Sequence, residues 1–213
     1  MSLSYTLSTK YRLRRNAGFT LVELMITVTI AGILIGLAIP SFQSTIQSNR
    51  LTTEANEFVT ALNLARSEAV KRGVPVTVRK VDSSSSTNLS ASANWESGWD
   101  VFTDATSNGS FDSSTDILLK THAPLQTSYT LRGDGGTTGF GNYINFRPSG
   151  QSHTSGIFVL CDASDNNEVA EANTSRLVMI NAVGRVRMGA DTNSPKDNIP
   201  NIDATTNSTD CTP

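Results

Sequence analysis

Between Phe19 and Ile39 the chain carries a single charge, Glu23, and its remaining polar side chains there are those of Thr20, Thr27 and Thr29. Coiled as a helix, this apolar run reaches about 31 Å, close to the hydrocarbon thickness of a bilayer. So apolar a rod has to be covered by lipid or by other helices, and it dictates a chain built as a stalk plus whatever follows. Lys10, Arg12, Arg14 and Arg15 precede it with no acid among them. That bias keeps residues 1–18 cytoplasmic and sends the chain from residue 41 onward across the membrane.

A secretory signal peptide has a short apolar region followed by a small-residue cleavage site. Here the small residue, Gly18, comes before the apolar run. Cleavage between Gly18 and Phe19 removes the charges and keeps the helix. Gly18-Phe-Thr-Leu-Val-Glu23, with its basic leader and span-length apolar run, resembles the type IV pilin class; a plain signal anchor is the alternative. The resemblance implies that a prepilin peptidase cuts after Gly18 and methylates the new N-terminus at Phe19. It also implies that the freed amine partners Glu23, within one chain or in a neighbouring subunit during filament assembly. A carboxylate in an apolar helix costs a few kcal/mol and is a functional hypothesis by default; the bland alternative is a Glu23 that reaches headgroup water. Gly32 and Gly36 form a weak small-xxx-small signal for close helix packing.

Beyond the run, Pro40 can kink a helix by removing a backbone hydrogen bond. The helix is expected to resume, because Leu51, Ala55, Phe58, Leu62, Ala65 and Ala69 recur at helical spacing and form the stripe of an amphipathic helix seated on a core. Gly73 and Pro75 end it. Short runs rich in β-branched and aromatic residues follow. They predict strands at 74–81, 98–103, 117–125, 128–132, 143–147, 156–161, 176–180 and 185–188, with loops at 82–94, 104–116, 133–141 and 162–174. The expected organisation is a leader over 1–18, a transmembrane or filament-core helix over 19–39, an amphipathic helix over 40–73, a β domain over 74–188 and a polar tail over 189–213.

Without residues 1–18 the chain keeps 13 Lys+Arg against 19 Asp+Glu, a net charge of −6. Global attraction to nucleic acid or anionic lipid is not expected, and any such contact has to be a local patch. Cys161 and Cys211 are the two cysteines. An exported compartment permits them to pair, two free thiols being the alternative. Closing a loop of about 50 residues would contribute roughly 4 kcal/mol in the chain-entropy model and tie down the tail.

Four stretches, Ala61–Gly73, Gly98–Asp104, Ile144–Gly150 and Gly184–Arg187, are similar in this order to the FimT/FimU minor pilins and GspH pseudopilins. Together with the leader they cover about half the chain. The serine-rich insert Ser83–Ser92 and the long tail depart from that pattern. The resemblance implies an α+β fold of type IV pilin-like design: a long N-terminal helix, transmembrane then amphipathic, packed on an antiparallel two-sheet β domain. It implies a minor pilin at the priming or tip end of a type IV pilus. The alternatives are a GspH-like pseudopilin of a type II secretion system and a FimU-like tip adaptor without DNA binding. The implied partners are the prepilin peptidase and other major and minor pilins. The implied location is the inner membrane, with a periplasmic C-terminal domain, and then an extracellular pilus.

The binding candidate is the last hairpin. Asn181–Gly184 reads as a turn, and on the strand beyond it Arg185 and Arg187 share a face about 6.6 Å apart. Guanidiniums so placed can grip backbone phosphates without reading sequence. In the FimT branch a Gly-Arg-x-Arg motif is associated with capture of double-stranded DNA for uptake; Gly184, Arg185 and Arg187 match it, and Lys196 is a further candidate contact. The bland reading is an edge strand carrying arginines to discourage aggregation.

No catalytic residue, cofactor or metal site is expected, and so no enzyme. His122 and His153 are single residues without metal-ligand spacing, and Asp, Ser and His are too common to imply a triad. Asp104, Asn108 and Gly109 match positions of a calcium loop, but Thr106 and Thr115 break the match, so a hairpin loop turning at Asn108-Gly109 is expected. Gly133–Gly136 lacks the setting of a phosphate-binding loop and reads as a turn. Trp95 and Trp99, at the start of a strand, read as core or interface.

Overall fold

A computed structural model describes residues 18–81, 94–134, 140–164, 173–192, 196–201 and 211, excepting the side chains of 40, 41 and 134. The leader before Gly18, the insert at 83–92 and much of the tail therefore lie outside the described residues. The chain divides into two compact units, residues 1–43 and 44–213.

In the first unit the α-helix α1, Leu21–Arg72, begins. The Glu23 N–H donates to Thr20 Oγ1 at 3.2 Å and the Leu24 N–H to the Thr20 carbonyl at 3.1 Å, so Thr20 caps the helix. Thr-x-x-Glu at this point is the pattern of a capping box, a signal present in the sequence but not used in reading it. Thr27 and Thr29 turn their hydroxyls back on the Leu24 and Met25 carbonyls, which removes their polarity from the helix surface. That surface is apolar and exposed: Phe19, Leu21, Leu34 and Leu37 are among many such side chains. The helix is long and apolar enough to cross a membrane.

The second unit holds the rest of α1, whose stripe Leu51, Ala55, Phe58, Leu62, Ala65 and Ala69 is buried as its spacing predicts. Gly73 ends the helix in the left-handed region, its N–H bonded to the Ala69 carbonyl. Among the described residues eight strands follow: β1 Val76–Lys80, β2 Trp99–Thr103, β3 Leu118–His122, β4 Tyr129–Asp134, β5 Tyr143–Phe146, β6 Gly156–Asp162, β7 Ser175–Ile180 and β8 Val186–Met188. They build two four-stranded antiparallel sheets, ordered β3-β2-β1-β5 and β4-β6-β7-β8. Phe58 of α1 meets Trp95, Trp99 and Phe158 edge to face at 5.8, 5.0 and 4.8 Å, so one helix residue touches aromatic rings from both sheets.

Two local expectations change. Gly133 and Asp134 extend β4 instead of turning, because pairing with β6 continues through Asp134↔Ile157. Trp95 lies in a short 3-10 turn, Trp95–Ser97, ahead of β2; both tryptophans are buried. Every residue of β1 and β2 is buried. The 104–116 loop explains part of this. Buried Asp104 accepts hydrogen bonds from Thr77 Oγ1 at 2.8 Å and from the Gly109 N–H at 2.8 Å, and Phe111 packs edge-on against Phe102. The residue that opened the calcium-loop pattern thus has its oxygens committed to organising a hairpin loop.

Cys161 and Cys211 are disulfide-bonded, Cα to Cα 5.8 Å. They sit with Val159 and Leu177 in a second small core, partly covered by Ile199. The described part of the tail is also held by hydrogen bonds from Asn201 N–H to the Ala190 carbonyl and from Thr192 N–H to Asn201 Oδ1.

Candidate functional site

The β7–β8 hairpin turns through Asn181–Gly184. The Gly184 N–H donates to the Asn181 carbonyl at 2.8 Å, and the Arg185 N–H to Asn181 Oδ1 at 2.8 Å. Gly184 has φ +76°, and a Cβ there would stand 2.0 Å from the Gly150 carbonyl oxygen. A side chain is therefore excluded by both conformation and contact. Arg66 of α1 reaches across, Nε donating to the Gly150 carbonyl at 3.0 Å and Nη2 to the Val183 carbonyl at 3.3 Å. Three of the stretches that sequence analysis treated separately, those containing Arg66, Gly150 and Gly184, thus meet at one point and fix the hairpin. Gly184 is buried and shapes the turn. The motif's exposed groups are its two arginines.

Arg185 and Arg187 are both exposed, and β8 is the edge strand of its sheet, with Arg187 in register with Met179. Both arginines line a shallow groove of about 320 Å³ with Ser155, Ile157, Met179 and Asn181. Among the described residues neither guanidinium has a hydrogen-bond or ion-pair partner, and the groove's lining includes no acid. Lys196 is on the surface but does not line this groove.

Phe19 is 79 % exposed, and Glu23 is exposed in the first turn of α1. An acid there is favoured by the partial positive charge of a helix N-terminus. One grouping escaped sequence analysis: Glu54 and Glu57 on α1 converge on His122 at the end of β3. The signal was divided between a helix face and a strand 65 residues away. His153 lies elsewhere, stacked on Tyr143.

Comparison with known proteins decides the lineage. The family described as type II transport protein GspH matches residues 54–184, and the prokaryotic N-terminal methylation motif matches residues 13–39.

The chain belongs to the GspH family.

Two fimbrial proteins of Pseudomonas aeruginosa are each 41 % identical to this GspH-family chain over 61 residues, which is 29 % of this chain and 39 % of theirs. The match therefore spans well under half the length of these curated relatives. The type IV minor pilin FimU of P. aeruginosa superposes with a TM-score of 0.51 at 17 % identity, covering 77 % of this chain and 96 % of that one. The minor pseudopilin EpsH of Vibrio cholerae gives 0.43 at 14 % identity, covering 66 % and 97 %. The long N-terminal helix and antiparallel sheets together make the fold that of the type IV minor pilin FimU.

Proposed function

We propose that this GspH-family protein is a minor pilin of a type IV pilus, anchored in the inner membrane by α1 before assembly, and that its last hairpin holds double-stranded DNA by the phosphates. A prepilin peptidase would cut after Gly18 and methylate Phe19, and other pilins would then cover the apolar surface of residues 19–39. Glu23 would meet the new amine as each subunit enters the filament. The observation that carries DNA contact is the pair Arg185 and Arg187, both exposed and lining one groove free of acids. In a chain with net charge −6 after residue 18, such a local patch is what phosphate binding requires.

The test uses the full chain in detergent micelles and duplex DNA at low salt. Retardation is expected with little sequence preference and with steep loss on adding salt. The Arg185→Ala/Arg187→Ala double variant is expected to lose most of it, whereas equal retardation by that variant rules this hairpin out. A second reading, a pseudopilin of a type II secretion machine, is supported by the family's own description. There the same exposed arginines would dock against a neighbouring subunit, and deletion would impair protein secretion while leaving piliation and DNA uptake intact.

A further inference from the structure

We propose that Glu54, Glu57 and His122 form a site for a divalent transition-metal ion, with zinc the best fit, that ties α1 to β3. The His122 Nε2 lies 2.7 Å from Glu57 Oε2 and 3.8 Å from Glu54 Oε2, and the donor atoms of all three residues lie within 4.8 Å of one another. The two glutamates are one turn apart on α1, so their carboxylates rise from one helix face.

The second ring nitrogen carries the argument further. His122 Nδ1 is 2.7 Å from the Ala123 carbonyl, an acceptor only, so Nδ1 bears the hydrogen. A neutral ring then presents a bare Nε2 lone pair to a carboxylate oxygen at hydrogen-bond distance, which is repulsive unless a cation or a second proton lies between. Donation of the far N–H to a backbone carbonyl is also how metal-ligating histidines are oriented. The ring is further held by Trp99, stacked on it at 3.9 Å with the planes 4° apart. Glu54 Oε2 is buried and has no hydrogen-bond partner among the described residues. Among those residues the His122 imidazole is also the sole basic side chain within 4.0 Å of either carboxylate. Two negative charges thus face one imidazole.

One imidazole and two carboxylates suit zinc, with an open position for water. Ligands at 2.0–2.2 Å around a tetrahedral ion stand about 3.4 Å apart, so Glu57 would retreat by roughly 0.7 Å and Glu54 approach by roughly 0.4 Å. The Glu57 side chain is 48 % exposed and has room to move while the stacked ring stays fixed.

Equilibrium dialysis of the full chain in detergent micelles against zinc provides the test, with thermal unfolding and tryptophan fluorescence alongside. One zinc per chain is expected, with a raised midpoint of unfolding and a change in emission from Trp99. Glu57→Gln, at a half-exposed position that does not threaten folding, and His122→Gln are each expected to weaken binding at least about tenfold. His153→Gln is expected to leave it unchanged. Absence of stoichiometric zinc binding, or binding that survives both Glu57→Gln and His122→Gln, overturns the proposal.

Discussion

At the scale of single residues, two positions have roles that run against their first appearance. Gly184 belongs to a motif that invites a binding reading, yet its surroundings are backbone: the Gly150 carbonyl occupies the place of any Cβ. Gly184→Ala is expected to lower stability by more than about 1 kcal/mol, from the positive φ together with the clash. A loss of DNA retardation in that variant would follow from a displaced hairpin, so the arginine variants are the ones that test contact. Unfolding of the Gly184→Ala chain at the wild-type midpoint would show that the turn tolerates a methyl group. Lys80, buried at the end of β1, is the second case. Burial pulls its ammonium below the ordinary 10.5, with Glu96 opposing the shift and Arg132 adding to it. A depressed folded pKa means that the favourable contribution is complete only above about 10.5 and is lost as the pH falls through the folded value. At neutral pH the charge is therefore a cost. Lys80→Met is expected to be more stable than wild type at pH 7, with the gap narrowing as the pH rises through the folded value toward 10.5; a gap that stays constant up to pH 10.5 would contradict the assignment.

At the scale of elements, the parts with a strong period were legible. The α1 stripe from Leu51 to Ala69 stands where its helical spacing puts it, and the eight strands seen among the described residues stand close to where β-branched and aromatic content puts them. What the sequence did not disclose is burial imposed from a distance. Thr77, Arg79, Asp100 and Asn145 are polar strand residues, yet they are buried: Asn145 donates to Thr77 and Thr77 to Asp104, and Arg79 pairs with Asp100. The tail read as irregular and pinned by one bond; Asn201 and Asp191 show that it is also hydrogen-bonded in place. For the candidate site, the two arginines and their turn were readable from local chemistry. The grip of Arg66 and the grouping of Glu54, Glu57 and His122 were not, since both depend on how α1 lies against strands distant in sequence. Phe58 is where α1 and both sheets meet, so Phe58→Ala is expected to cost about 3–5 kcal/mol. A much smaller loss in thermal unfolding would mean that the helix half within residues 44–213 is not seated as described.

At the scale of the whole molecule, two units of contrasting chemistry follow one another along the chain. Residues 19–39 form an apolar, exposed helix surface, and residues 44–213 form a domain with its own core. The domain holds a disulfide and is acidic on balance, with a groove lined by Arg185 and Arg187. Under the proposed function such a chain is a subunit: lipid would cover the helix before assembly, other pilin helices would cover it afterwards, and Glu23 would set the position of each subunit against the next. Expressing Glu23→Ala in cells that assemble pili, and quantifying the subunit in the membrane fraction and in sheared filaments, tests this directly. The account predicts wild-type levels in the membrane and loss of the variant from filaments. Filaments containing the variant at wild-type levels would contradict it.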